Sequence, residues 1–139
     1  MDYFIPYITR LKVLTLNNTT SGTTTYIPLL AQHCTQIHTL HLSGRLTFTD
    51  EIAQFCRVNP LLQVLWITSL EPLTDITLIE LVHACPYLHT FYLPYETEIT
   101  DIGILALSEH CPHLEKVCIY YCKKVTEAAV LQLLQRCRK

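Results

Sequence analysis

The stretch CPHLEKVCIYYCKKVTE, residues 111–127, decides the fold, because apolar residues, a turn and a helix start follow one another in it. Leu114, Val117 and Ile119 form the triplet L-x-x-L-x-L, whose last two members point to the same side of a strand. Thr126-Glu127 then suits the start of a helix, since the threonine oxygen accepts from first-turn N–H groups and the acid complements the helix dipole. The stretch therefore predicts a strand, a turn and a helix in that order.

The apolar triplet occurs five times along the chain, with starting points separated by 26, 25, 26 and 26 residues. A period this regular indicates an internal repeat rather than a general preference for leucine. The five triplets are Leu11/Leu14/Leu16, Ile37/Leu40/Leu42, Leu62/Leu65/Ile67, Leu88/Phe91/Leu93 and Leu114/Val117/Ile119.

The second half of each unit repeats as well. A threonine lies twelve residues after each start and is usually followed by an acid: Thr23-Thr24, Thr49-Asp50, Thr74-Asp75, Thr100-Asp101 and Thr126-Glu127. Apolar residues then recur at helical spacing. They are Leu78, Ile79, Val82 and Cys85 in the third unit, and Val130, Leu131, Leu134 and Cys137 in the fifth.

A proline follows the predicted helix end in three units and disfavours further helix. It forms Cys85-Pro86 and Cys111-Pro112, whereas the second unit, one residue shorter, has Asn59-Pro60. Each unit is thus one strand, one turn and one helix. Because a single unit cannot bury its own apolar side, we expect the units to stack and share a continuous core.

Composition narrows the class of protein. The chain has 139 residues, half of them hydrophobic and 16% charged, which suits one folded domain over residues 1–139 with a partial N-terminal flank at 1–10. Only three glycines occur, too far apart for a phosphate-binding loop, and the net charge of −2 argues against nucleic-acid binding. No apolar run is long enough for a membrane span and no secretory signal is recognisable. We expect a cytoplasmic or nuclear protein with free thiols.

The unit resembles the cysteine-containing subclass of leucine-rich repeats. Cys85-Pro86-Tyr87-Leu88 and Cys111-Pro112-His113-Leu114 match its C-P-x-L signature, and Cys122 to Glu127 matches its C-x-x-[VI]-T-[DE] segment. The resemblance implies an α/β leucine-rich-repeat solenoid of about five repeats, a right-handed arc with parallel strands on the concave face and helices on the convex face. At the usual Asn/Cys turn position only Cys122 conforms to the family pattern.

The resemblance also implies a function. Proteins with these repeats are commonly F-box/leucine-rich-repeat (RNI-like) proteins, the substrate-recognition subunits of SCF-type ubiquitin ligases that act in ubiquitin-dependent protein degradation. No F-box is recognisable here, so a Skp adaptor and a cullin are expected as partners only of a longer parent chain that carries one. The alternative is a stand-alone leucine-rich-repeat scaffold or inhibitor without a ubiquitin role.

The predicted concave face is the candidate binding surface. Strand positions that point away from the helices do not need aromatic side chains for the core, and exposed Tyr and Trp are typical of protein interfaces. Cross-strand stacking that only stabilises the sheet is the other interpretation. The candidate residues are His41, Trp66, Tyr92, Tyr95, Cys118, Tyr120 and Tyr121.

Neither a catalytic nor a metal site is predicted. Cys34, Cys85, Cys111 and Cys137 share one repeat position at the helix end, where thiols act as small hydrophobic side chains. A zinc site drawn from His110, Cys111, His113, Cys118 and Cys122 lacks the paired C-x₂-C spacing of zinc modules. No serine, histidine and acid form a recognisable hydrolase pattern. We therefore expect a non-enzymatic protein without a cofactor.

Overall fold

A computed structural model of the chain describes residues 8–19, 26–44, 50–69, 73–93 and 98–137. Within these ranges five parallel strands in one sheet alternate with five helices, so the predicted α/β alternation is confirmed. Each sequence repeat contributes one strand and the helix that follows it, an arrangement compatible with a repeat solenoid. The elements are β1 Val13–Thr19, α1 Tyr26–His33, β2 Thr39–Gly44, α2 Asp50–Arg57, β3 Val64–Ser69, α3 Asp75–Ala84, β4 Thr90–Tyr92, α4 Asp101–His110, β5 Lys116–Cys118 and α5 Glu127–Arg136.

The strands are ordered β1 to β5 as they follow in the chain, and equivalent repeat positions pair with each other. One backbone pattern recurs between neighbours: the carbonyl just before one strand accepts hydrogen bonds from two consecutive N–H groups of the next unit. Lys12, His38, Gln63 and His89 provide these carbonyls at 2.7 to 3.0 Å. Residues one repeat apart, 25 or 26 positions along the chain, are therefore partners in the sheet.

The core lies between the sheet and the helices. The triplet side chains of units two to four are almost completely buried, as in Leu40, Leu65 and Phe91, and they share one apolar cluster with helix residues such as Leu78 and Leu107. The intervening strand residues are exposed or half-buried on the opposite side. We call that opposite side the open face. It consists of the alternate strand residues Val13, Thr15, Asn17, Thr39, His41, Ser43, Val64, Trp66, Thr68, Thr90, Tyr92, Lys116 and Cys118, with Tyr120 just beyond β5.

The threonine caps predicted at the helix starts are confirmed in units three to five. The side chains of Thr74, Thr100 and Thr126 accept hydrogen bonds from Thr77 N, Ile102 N and Ala129 N, at 3.2 to 3.4 Å. The threonines predicted to start the first two helices lie outside the described residues.

The acids after the caps of α3 and α4, Asp75 and Asp101, each have a second partner that the sequence analysis did not predict. Asp75 Oδ1 accepts from Thr100 N at 2.9 Å and from Gly103 N at 3.1 Å, both in the next unit. Asp101 repeats this with Thr126, whose N–H and hydroxyl both donate to its carboxylate at 2.7 Å. The acid thus links the starts of neighbouring helices, in addition to any effect on its own helix dipole.

The helix ends follow the predicted column. Cys85, Cys111 and Cys137 are the residues at which α3, α4 and α5 end, and the first two are completely buried. Asn59 occupies this column in the shortened second unit and is 1% exposed. Its Nδ2 donates to Cys34 O at 2.8 Å and its Oδ1 accepts from Ile37 N at 2.8 Å, so it joins the first two units.

The fifth helix departs from the prediction. Leu131 and Leu134, expected on its buried side, are about half exposed, while Ala129 and Leu133 are buried. The physical reason is the position of the helix in the stack: among the described residues, no further helix packs beside α5.

Candidate functional site

The open face carries one residue from each strand in a continuous cross-strand row. The row runs Thr15, His41, Trp66, Tyr92, Cys118, and each member pairs directly with the next in the register of the sheet. The regular repeat length creates this row, because a one-residue change would turn the side chains to the core.

The rings in the middle of the row contact one another. Trp66 and Tyr92 are stacked, with ring centroids 4.2 Å apart and an interplanar angle of 12°. His41 lies 5.4 Å from Trp66 at 55°. Trp66 nevertheless keeps 38% of its surface exposed. The stack thus packs across neighbouring strands and also presents an indole to solvent, so it is compatible with either interpretation of the aromatic residues.

A groove of about 260 Å³ lies beside the exposed part of Trp66. Apolar atoms form most of its lining, with hydroxyl, amide and imidazole groups among them, from Thr15, Asn17, His41, Leu42, Ser43, Trp66 and Thr68. Ser43 Oγ donates to Asn17 Oδ1 at 2.8 Å, which orients the amide across strands. The groove offers hydrogen-bonding groups next to a large apolar surface, the combination found at the core and rim of protein interfaces.

Lys116 belongs to the open face, although the sequence analysis left it out of the candidate site. Its ammonium lies 5.1 Å from the centroid of the Tyr92 ring, within the range of a cation–π contact. A hydrogen bond with the Tyr92 side chain raises the pKa of Lys116, so it is charged at neutral pH. Strand alternation could have identified it, since it lies two residues after Leu114, as Thr90 lies two residues after Leu88.

The remaining predicted residues lie at one end of the face or outside the description. Tyr120 and Tyr121 follow β5 and are mostly exposed, while Cys118 is half-buried. Tyr121 has φ 62°, a left-handed backbone that is unfavourable for a bulky residue and marks a tight bend after β5. Tyr95 lies outside the described residues. The structure therefore groups His41, Trp66 and Tyr92 and extends the row to Cys118.

Two pairs of oppositely charged side chains contact each other within the chain. Lys124 contacts Glu98 at 2.9 Å and Arg136 contacts Glu109 at 3.3 Å, each pair about half exposed. On the strand positions of the open face that the structure describes, Lys116 is the one Lys or Arg and no Asp or Glu occurs. Electrostatic contact with a partner at this face would therefore centre on Lys116.

Described histidines and cysteines away from the open face also make contacts, but they do not form a recognisable catalytic centre. The rings of His83 and His110 lie 3.7 Å apart at the ends of α3 and α4. Burial raises the pKa of the Cys111 thiol to about 12, which makes it a poor nucleophile. Among the described residues, no three or more His, Cys, Asp or Glu side chains form a group suited to a metal ion.

No protein-family model matches this chain, and no curated protein shows significant similarity to it. The relation to cysteine-containing leucine-rich repeats therefore remains a prediction based on the motifs. Within the part of the chain that the structure describes, no helix is both long and apolar enough to cross a membrane.

Proposed function

We propose that the chain is a leucine-rich-repeat solenoid that acts as a protein-interaction module, with the open face as its concave binding surface. The single observation that carries the proposal is the Trp66–Tyr92 stack, which leaves the indole 38% exposed beside a groove that also offers hydrogen-bonding groups. Sheet stability alone does not require the largest side chain to keep this exposure. Exposed, preorganised tryptophan and tyrosine are the residue types that contribute most to protein interfaces.

The surface also has the variation along its length that a specific interface needs. Its first two strands carry small polar groups such as Asn17 and Ser43, and the later strands carry Trp66, Tyr92 and the Lys116 ammonium. A partner that fits has an apolar anchor next to Trp66, hydrogen-bonding groups over the groove and an acidic group within reach of Lys116. The module needs no catalytic residue or cofactor for this role.

Two cellular roles follow from the family resemblance. In one, the module recognises substrates for an SCF-type ubiquitin ligase through a longer parent chain with an F-box. In the other, it is a stand-alone scaffold or inhibitor. The two roles share the binding surface and differ in whether a Skp adaptor and a cullin accompany the bound protein.

The test compares two pairs of aromatic substitutions in affinity capture from the native cell. Trp66→Ala with Tyr92→Ala removes the stack, whereas Tyr26→Ala with Tyr87→Ala removes two exposed tyrosines that lie away from the open face. Proteins retained by the wild type and the control pair, but lost with the stack variant, are then purified and titrated directly. We expect affinity to fall at least about a hundredfold, the loss typical of two interface hot spots.

Thermal unfolding of both variants accompanies the capture experiment. Equal binding by wild type and stack variant, together with a large loss of stability, would return the aromatic row to a purely structural role. A Skp adaptor and a cullin among the proteins captured with the full-length parent would favour the ligase role, and their absence would favour the stand-alone scaffold.

A further inference from the structure

The rings of His83 and His110, which we call the histidine pair, are in contact where α3 and α4 end. Their centroids lie 3.7 Å apart and the ring planes are inclined by 36°. Each residue belongs to the last turn of its helix. His83 is exposed and His110 is half-buried, so dissolved ions reach both side chains.

The boundary between the next two helices shows what these two repeat positions do. Glu109 and Arg136 lie 26 residues after His83 and His110, and their side chains form an ion pair at 3.3 Å. The same two positions therefore face each other across both boundaries. Opposite charges occupy them between α4 and α5, whereas two imidazoles occupy them between α3 and α4. Two neutral imidazoles have no such charge attraction, but each has a nitrogen lone pair.

The ring nitrogens of the histidine pair have no hydrogen bond to any residue that the structure describes. In this they differ from His38 and His89, whose Nδ1 atoms donate to the backbone carbonyls of Gln36 and Tyr87 at 2.7 Å. A neutral imidazole has one nitrogen that carries a lone pair in place of a hydrogen. The histidine pair thus offers two nitrogen ligands, one from each helix.

The chemistry of these ligands identifies the kind of ion they suit. Imidazole nitrogen is a preferred ligand of zinc, nickel and copper ions. Metal–nitrogen bonds are about 2.0–2.1 Å long, so two imidazole nitrogens that share one ion lie at most about 4 Å apart, within the reach of two rings in contact. A cation is also favoured electrostatically, because the C-terminal end of a helix carries partial negative charge and two helices end here.

We propose that the histidine pair binds a divalent transition-metal ion through one nitrogen of each ring, with water in the remaining coordination positions. Rotation about the side-chain bonds directs both lone pairs at the ion without movement of either helix. The ion links the ends of α3 and α4, as the Glu109–Arg136 ion pair links α4 to α5. The site lies on the helices, away from the open face, so it does not depend on the proposed function. Magnesium and calcium ions, which prefer oxygen ligands, are not expected to bind.

The test uses Ni²⁺ alone as the probe and titrates it into the full chain by calorimetry. Wild-type protein is expected to bind Ni²⁺ saturably. Its midpoint of thermal unfolding should also rise with the Ni²⁺ concentration, because the two imidazoles are held together only in the folded chain. Mg²⁺ at the same concentrations should produce neither effect.

Substitutions of histidine locate the site. His83→Gln and His110→Gln should each weaken Ni²⁺ binding at least about tenfold, since loss of even an outer-shell partner of a metal ligand costs about 10- to 100-fold. His89→Gln with His113→Gln is the matched control. It removes two other imidazoles, whose rings lie 5.9 Å apart, and should bind Ni²⁺ like wild type.

A transplanted ion pair separates metal binding from the packing of the two helices. His83→Glu with His110→Arg copies onto this boundary the side chains that already pair between α4 and α5. This variant should therefore fold without Ni²⁺ and lose the Ni²⁺-dependent rise in its unfolding midpoint. Thermal unfolding without Ni²⁺ checks that every variant is folded.

Wild-type protein that shows no saturable Ni²⁺ binding would overturn the proposal. Binding that His83→Gln and His110→Gln leave unchanged would also overturn it, since the ion would then use other ligands. A control pair that loses as much affinity as these variants would have the same meaning, because binding would depend on the number of histidines rather than on the histidine pair.

Discussion

The carboxylate of Asp75 lies against the backbone of Gly103, one repeat unit further along the chain. Asp75 Oδ1 accepts from Gly103 N at 3.1 Å and from Thr100 N at 2.9 Å. A Cβ placed on Gly103 would lie 2.5 Å from this oxygen and 3.0 Å from Leu78 Cδ2. The glycine therefore leaves room for a carboxylate that joins two helix starts, although glycine itself is unfavourable in a helix.

Gly103→Ala should lower stability, although alanine is the better helix former by about 1 kcal/mol. The added methyl displaces Asp75 from two N–H groups, and we expect a net loss of about 1–2 kcal/mol in the free energy of unfolding. Urea unfolding measures the difference. Ile102→Ala, at an exposed neighbouring position, should change stability little, and a Gly103→Ala protein more stable than wild type would contradict the packing described here.

Because of the hydrogen bonds that Asp101 accepts, we expect the stability of the protein to fall at acidic pH. Hydrogen bonds from the backbone and side chain of Thr126 lower the pKa of Asp101 in the folded protein. The stabilisation from this lowered pKa is present above the ordinary Asp pKa of about 3.9 and is lost as the pH falls through the lower folded-state value. Wild type should therefore exceed Asp101→Asn in stability near neutral pH, and the difference should shrink in acid. A difference independent of pH would contradict this account.

Asn59 should be the most sensitive polar position in the core. Asn59→Leu leaves the N–H of Ile37 and the carbonyl of Cys34 without their partner, at an expected cost of about 2–4 kcal/mol in the free energy of unfolding. Gln54→Leu is the control, since it removes an exposed amide from α2, the helix that precedes Asn59. Chemical denaturation compares the two, and equal losses would show that the buried hydrogen bonds contribute nothing specific.

The seven cysteines should divide into two groups in labelling with a thiol-reactive disulfide. Cys34, Cys56, Cys85 and Cys111 are buried and should react only on unfolding, whereas Cys118, Cys122 and Cys137 are half-buried and should react in the native protein. Burial raises the pKa of Cys137, so we expect it to be the slowest of these three. Cys118→Ser and Cys122→Ser should each remove one native-state thiol. Equal rates for all seven would contradict the burial pattern.

Much of the fold could be predicted because the same residue pattern recurs along the chain, so the assignment of one unit supports the assignment of the others. The triplets marked the strands and their buried side, the threonines marked the starts of α3 to α5, and the cysteine column marked their ends. The row from Thr15 to Cys118 followed from the same count. Lys116 was left out of the candidate site because that site was chosen mainly for its aromatic side chains.

The residues that join neighbouring units could not be identified in the same way. Asp75 looked like an ordinary first-turn acid, and nothing local to it indicates Thr100 or Gly103 as partners. Asn59 looked like a substituted column residue, and its bonds to the first unit depend on how two helix ends meet. The half-exposed Leu131 and Leu134 occupy the repeat positions of the partly buried Ile79 and the buried Val82 in the third unit, so only their place in the stack distinguishes them.

By itself the sequence determined the alternation of strand and helix, the register and the side of the sheet each residue occupies, because these depend on periodicity within the chain. The tertiary structure alone decided which side chains touch across a unit boundary, as in the Trp66–Tyr92 stack and the contact of Asp75 with the next helix start. It also decided that one side of α5 is left exposed. Such contacts join residues about one repeat apart, and their existence depends on how closely neighbouring units approach, which no local pattern encodes.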